Sequence, residues 1–466
     1  MYLRKLKIKH LKRVSELALD FEHDGRPRMW TVLIGENGTA KTSILQAIAL
    51  AAAGQRQVNT LARPIVRHLR DRRSEDDLKV EATFEFTPSS RANSGVHPHA
   101  GGTAVARLSS SVELSNGSTS LKANSTYLTD DGPLVTPGVD VLDEARSAHT
   151  HLWFVAGYGI ARNMPDSTFT PALDLPSIDR LQPLFDARVA LASTSFANHF
   201  LKKDLDEGKP VGETSRRYGK RLSEAIKLGG AALFPDIIRL ELRGTGGTKS
   251  ARELVDSDRM YMRMGDASEL AIAGVALSHG YQSTFAWIAD LIGHVLLEAK
   301  VDLPTTEMEG LVLIDELDLY LHPAWQAQFI TALRRVFPKM QFVATTHSPV
   351  VLAEMAPHEV VRLIVDRATG DVVRGGWAPD TGAVVPVQSP DPVQPDPRPM
   401  TASEIYRTWF GLERLTPNPI GEQLRRYQVL AEDPSPSAEE RRERDRLRDE
   451  LLAAGVTELG VDVGGE

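Results

Sequence analysis

The stretch Thr31–Ser43 constrains this 466-residue chain more than any other. Thr31–Ile34 is a short apolar run. Gly35, Glu36, Asn37, Gly38, Thr39, Ala40, Lys41, Thr42 and Ser43 follow, and Ile44, Leu45, Ile48 and Ala49 then recur at helical spacing. A strand that enters a glycine-containing loop and leaves as a helix is the setting a phosphate-binding loop requires. Successive backbone N–H groups surround an anion at the helix N-terminus, where the helix dipole also favours negative charge. Lys41 is spaced to reach the β- and γ-phosphates of a nucleotide, and the Thr42 hydroxyl to ligate magnesium. The pattern G-x-x-x-x-G-K-[ST] is broken once, by Ala40 in place of the second glycine. The extra methyl is tolerated if the backbone there avoids positive φ.

Composition narrows the function classes. The length suggests about three domain-sized pieces, and 42% hydrophobic and 25% charged residues suit a folded protein. With 62 acidic residues against 54 Lys plus Arg, the net charge of -8 lacks the basic excess of a dedicated nucleic-acid binder. The absence of Cys removes disulfides, thiolate zinc sites, Cys nucleophiles and iron–sulfur clusters. Met1–Arg13 alternates basic and apolar residues, unlike a signal peptide. The longest apolar run, near Ile44–Ala53, falls short of the ~20 residues of a membrane span. A cytoplasmic protein with no membrane contact is expected.

Period-two alternation predicts opening strands over Leu3–Ile8 and Val14–Phe21. Ser89–Asn124, rich in Ser, Gly, Thr and Asn, reads as hairpins and loops. The pairs His97/His99 and His149/His151 read as surface histidines. A buried strand is expected over His151–Tyr158, helices over Ala187–Phe234, a strand over Ile237–Leu242 and a helix over Ser283–Glu298. Leu311–Ile314 and Gln341–Ala344 read as buried strands, and Trp325–Phe337 as a helix. Glu359–Val365 and Asp371–Val373 suggest a hairpin. Seven prolines between Gly375 and Pro399 suggest a linker or an extended segment. Thr401–Leu412 and Glu439–Leu452 read as helices.

Three further groups carry chemistry. Asp315 and Glu316 sit at the carboxyl end of an apolar strand, where an Asp can hold magnesium and a Glu can polarise water; capping of a helix is the plainer reading. Leu277-Ser278-His279-Gly280-Tyr281-Gln282 precedes a helix, so Ser278 would serve as its N-cap. His347 lies between Thr346 and Ser348 after the next strand.

Taken in this order, these motifs resemble those of ABC-class ATPases. Leu277–Gln282 matches the L-S-G-G-Q signature, with His279 for the first Gly. Leu317-Asp318-Leu319-Tyr320-Leu321-His322-Pro323 is similar to the RecF, SMC and OLD (overcoming-lysogeny) branch rather than to transporter subunits. The resemblance covers Met1–Leu363 and extends to AAA_21-like and PtuA-type anti-phage defence ATPases, with Gly157-Tyr158-Gly159, Arg162 and Thr401–Leu412 adding to it. Two departures matter: no coiled-coil heptads separate Thr42 from Leu277, and no Toprim-like acidic cluster follows the Pro-rich segment.

The resemblance implies an α/β fold: an ABC-type P-loop ATPase head (mixed sheet with an antiparallel N-terminal subdomain) carrying an inserted lobe, plus a small α-helical C-terminal tail. The expected divisions are 1–88 and 237–374 for the two halves of the head, 89–236 for the lobe, 375–400 for the linker and 401–466 for the tail. It implies ATP and magnesium as ligands. Gly35–Ser43 would bind phosphate, Thr42 and Asp315 the metal, and Glu316, His347 and Lys41 would serve hydrolysis. Ser278, Gly280 and Gln282 would contact the nucleotide of a second head in a homodimer, and Asp318 would lie at the junction. Tyr158 and Arg162 are candidates near the magnesium. A separate nuclease or toxin effector is the expected partner. The alternative is a RecF-like DNA-repair or DNA-end-binding ATPase, to which Arg4, Lys5, Lys7, Lys9, Lys12 and Arg13 could contribute. A transporter subunit is the least favoured reading.

Overall fold

Alternation along Tyr2–Leu11 builds the first sheet, because Leu6 and Ile8 are buried while Lys5 and Lys7 are exposed. The computed structural model describes residues 1–89, 105–135, 137–147, 151–165, 173–208, 210, 212–242, 259–263, 268–299, 301–378, 383–387, 394–412, 419–433, 435–456 and 459. They divide into two compact units, Met1–Ala402 and Ser403–Glu466.

Among the described residues of the first unit, an antiparallel sheet runs Val14–Asp20, Tyr2–Leu11, Leu78–Glu85, Arg107–Leu114, Lys122–Thr129 and Gly132–Leu134. The second sheet is mixed, in the order Val155–Tyr158, Gly310–Ile314, Met340–Thr345, Trp30–Ile34, Val360–Val365, Val372–Ala378 and Ala383–Pro386. Its first five strands are parallel and the last two antiparallel. Gly310–Ile314 and Trp30–Ile34 are buried along their whole length, which is why they lack alternation. The helix Lys41–Ala51 lies between the sheets, and residues of both join it in one hydrophobic core. A small antiparallel sheet of Ile237–Glu241, Arg259–Arg263 and Glu269–Ala273 stands apart from these.

Several expectations need correction. Arg107–Leu114 and Lys122–Thr129 form a hairpin, as expected of this region, and, beyond that expectation, extend the antiparallel sheet by burying Leu108, Val112, Ala123 and Tyr127. Only the second half of His151–Tyr158 is strand, after a 3-10 turn at His151–Trp153. The expected linker begins as sheet, with Gly375 paired to Pro386. The helix expected from Ser283 starts at His279. His97, His99 and His149 lie outside the described residues.

Four of the six basic residues at the start of the chain are ion-paired. Lys7 and Lys9 approach Glu16 at 3.4 and 3.6 Å, Lys5 reaches Glu22 at 4.0 Å, and buried Arg4 pairs with Glu22 at 2.7 Å. No helix among the described residues is long and apolar enough to cross a membrane. In the second unit, Pro419–Glu432 and Ala438–Ala453 pack through Tyr427, Leu430, Leu447 and Leu451.

One buried polar group ties the long helix His279–Glu298 to the sheet. Asp290 accepts the Tyr158 hydroxyl at 3.1 Å and the N–H groups of Ala192 and Ser193 at 2.8 and 3.1 Å. His294 lies 3.5 Å away, its pKa pushed well down by burial, so it stays neutral. Burial raises Asp290 to about 6 against those hydrogen bonds and Arg180. Its folded pKa therefore exceeds the unfolded value, and its protonation stabilises the fold below about pH 4 and is lost as pH rises through 6. The stability difference between wild type and Asp290→Asn, measured by urea unfolding, should fall by up to about 3 kcal/mol from pH 4 to pH 7. A difference that stays flat would show that Asp290 does not titrate there.

Candidate phosphate-binding site

The parallel strands deliver the site because their carboxyl ends lie at one edge, where α/β sheets place ligand crevices. Trp30–Ile34 opens into the loop Gly35–Ala40, and Gly310–Ile314 ends at Asp315 and Glu316. Met340–Thr345 ends at Thr346 and His347. They frame a cavity of about 410 Å³ lined by Asn37–Ser43, Asp315, Glu316, Thr345 and His347.

Each loop residue is placed for a local reason. Gly35 has no room for a side chain: a Cβ would lie 2.4 Å from the Leu363 carbonyl oxygen. Thr39 donates its hydroxyl to the Glu36 carbonyl at 2.7 Å, closing the turn. Lys41 folds back over the loop and donates to the carbonyls of Gly35 and Glu36 at 2.8 and 3.0 Å. Among the described residues no carboxylate lies within ion-pair distance of it. Burial lowers its pKa, and Asp315 and Glu316 work against that shift.

Ala40 departs from expectation. Its φ of 60° and ψ of 17° are left-handed, the conformation a glycine would take there. The condition that the backbone avoid positive φ is not met; the alanine carries the strain instead. Its carbonyl accepts the Ile44 N–H at 2.9 Å and so starts the helix.

The acidic turn is held by hydroxyls. Asp315, only 6% exposed, accepts Thr42 at 2.8 Å on one oxygen and Thr345 at 2.7 Å on the other. Thr345 in turn accepts the Glu316 N–H at 2.7 Å. Thr346 donates its hydroxyl to Asp318. His347 is exposed at the rim; partial desolvation and then Lys41 lower its pKa, against Asp318, Glu316 and Asp315. The helix-cap reading of Asp315 and Glu316 does not hold, because the next helix, Pro323–Val336, is capped by His322.

Ser278, Gly280 and Gln282 do not line this cavity. They sit at the start of His279–Glu298. Ser278 occupies the N-cap position without a side-chain capping bond, and it is exposed. A Cβ on Gly280 would lie 2.6 Å from the Tyr320 carbonyl oxygen, so glycine is required. Gln282 turns back and donates to the Leu277 carbonyl at 2.7 Å. Sequence reasoning missed Thr345, which lay one residue outside the Thr346–Ser348 signal. It gave Lys12 and Arg13 only as possible contributors to DNA binding, whereas both line the cavity from the first strand turn.

Two oxygen donors, Thr42 and Asp315, meet beside Glu316, a hard donor set suited to magnesium. Among the described residues no group of three or more His, Cys, Asp or Glu is arranged to hold a metal. Magnesium does not require one, since it typically uses one or two carboxylates with water and substrate phosphates.

Residues 175–353 match the AAA_21 family, described as "AAA domain, putative AbiEii toxin, Type IV TA system". The chain is 25% identical over 455 residues to the Septu protein PtuA of Bacillus mycoides (strain KBAB4), covering 97% of this chain and 50% of that protein. It is 38% identical over 86 residues to the Retron Ec83 probable ATPase of Escherichia coli, covering 18% of this chain and 16% of that one. The chain thus spans half, or less, of the length of these curated relatives. An SMC head bound to the C-terminal winged-helix domain of ScpA shares 15% identity at a TM-score of 0.46, over 83% of this chain and 98% of that one. The similarity to AAA_21 thus lies within residues 175–353, less than half of the chain.

Left-handed alanine costs about 1–2 kcal/mol, part of which glycine would return as unfolded-state entropy. Ala40→Gly should therefore raise the unfolding free energy in urea by about 1 kcal/mol. Unchanged or lower stability would mean that the loop relaxes around the methyl without strain.

Proposed function

We propose that the chain binds and hydrolyses ATP with magnesium, as a nucleotide-sandwiched dimer of heads that regulates a separate nuclease or toxin in an anti-phage defence system. The observation that carries the ATPase reading is the convergence of Lys41, Thr42, Asp315 and Glu316 on one cavity. Similarity to Septu PtuA and to a retron ATPase supports the defence role.

In this reading the backbone of Gly35–Ser43 and the Lys41 ammonium receive the phosphates. Lys41 then exchanges two loop carbonyls for phosphate oxygens, a stronger charge-assisted contact. Thr42 and Asp315 hold magnesium, which when bound neutralises charge on the phosphates. Glu316 orients the attacking water, and His347 at the rim contacts the terminal phosphate. Catalysis of this kind rests on positioning and fixed charge.

The dimer is inferred from two observations. Ser278 and Gly280, at a helix N-terminus, do not line their own chain's cavity, and the Ser278 side chain makes no capping bond to its helix. A second copy in head-to-tail, two-fold arrangement would bring each such terminus to the other's nucleotide. The paired lysines of the opening strands give the DNA-binding alternative no support.

Lys41→Ala should remove ATP binding in calorimetry; retained affinity would refute the phosphate loop. Glu316→Gln should keep affinity, lower turnover by about 10²-fold or more and accumulate dimer in sedimentation with ATP. Ser278→Arg should bind ATP normally yet stay monomeric and inactive. If it hydrolysed ATP at the wild-type rate, each head would work alone.

A further inference from the structure

Arg162 is buried to 2% exposure, and its Nη2 donates to the main-chain carbonyl of Glu316 at 2.6 Å. Glu316 itself has a φ of 49°, a left-handed conformation that costs a non-glycine residue about 1–3 kcal/mol and persists only where its surroundings enforce it. Three bonds enforce it: Thr345 receives its N–H, and its C=O accepts Arg162 and, at 3.0 Å, the Leu319 N–H of the same turn. The charges favouring the buried guanidinium include Asp315, Asp318 and Glu316, the acids of this turn.

The same segment is anchored at its start. The Tyr158 carbonyl accepts the Asp315 N–H at 2.9 Å, and its hydroxyl donates to Asp290, midway along the helix that begins beyond Ser278. Residues 158–162 therefore grip both acidic residues by their backbones and join them to that helix. Tyr158 lies at the end of an edge strand whose only neighbour in the sheet, among the described residues, is the strand carrying Asp315.

We propose that Arg162 is a positioning residue that keeps the Glu316 carboxylate in its working orientation, and that Tyr158 couples this hold to the helix presenting Ser278 and Gly280. The proposal rests on the ATPase reading above. It adds a route by which docking of a second head on that helix reaches the acids of the same chain.

The test compares Arg162→Ala, Arg162→Lys and Tyr158→Phe with wild type by calorimetric ATP affinity, phosphate release and hydrogen exchange of nucleotide-free protein. Arg162→Ala should cut kcat by about tenfold or more with ATP affinity changed less than about threefold. Arg162→Lys should recover part of the loss, since an ammonium still donates one bond to the carbonyl. Tyr158→Phe, which only deletes a hydroxyl, should lower kcat by a smaller factor at unchanged affinity. The Glu316 and Leu317 amides should exchange faster in Arg162→Ala while those of Leu311–Leu313 do not. Affinity and kcat falling together, or exchange equal to wild type, would overturn the role of Arg162. A Tyr158→Phe variant with wild-type kcat would overturn the coupling. If Arg162→Ala does not fold, Arg162→Lys and Tyr158→Phe carry the same measurements. If wild type releases no phosphate, the ATPase reading fails, and the exchange experiment alone still decides whether Arg162 fixes the turn.

Discussion

The Asp315 carboxylate is the point on which the site turns. It is buried at a strand end and accepts one hydroxyl from the phosphate-loop helix and one from the neighbouring strand. Two partners on separate oxygens fix both its position and its rotation, and they offset the cost of taking a carboxylate out of water. Through Thr42 and Thr345 it joins the helix that follows the Gly35–Ala40 loop to two neighbouring strand ends, and the cavity is lined where they meet. The parallel sheet makes this meeting possible, since its strands all end at the same edge.

Around this point the backbone carries strain. Ala40, Glu316 and Tyr320 are non-glycine residues with positive φ, and they occur in the phosphate loop, at the acidic turn and beside Gly280. Each is held by hydrogen bonds or close packing rather than by its own preference. Strain of this kind collects where geometry matters more than stability. The link from Asp290 through Tyr158 to Asp315, with Arg162 on Glu316, is the polar counterpart: few groups, deeply buried, whose loss would be felt in geometry.

Legibility in the sequence followed periodicity and local chemistry. The apolar runs before Gly35 and Asp315 announced buried strands, and those strands are where they were expected. The hairpin over Arg107–Thr129 was legible from its Ser, Thr and Gly content, but its place in the first sheet was not, because the partner strand Leu78–Glu85 lies outside it. The pairing in the Pro-rich stretch was hidden likewise, since an edge hairpin tolerates proline where a central strand does not. Thr345 went unread because a buried Thr at a strand end has no distinctive spacing; only its contacts with Asp315 and Glu316 give it meaning.

By itself the sequence determined the strand–loop–helix at Thr31–Ala49, the acidic strand end and the order in which they occur. Those signals are local, set by residue type within a few positions of one another. Tertiary structure alone decided that Ala40 takes the left-handed conformation, that Thr345 shares Asp315 with Thr42, and that Arg162 rests on the Glu316 carbonyl. It also decided that Ser278 and Gly280 stand apart from their own chain's cavity. The Thr42–Asp315 and Arg162–Glu316 contacts join segments more than a hundred residues apart and the Thr345–Asp315 contact joins neighbouring strands, relations of register and crossover that no spacing within one segment encodes.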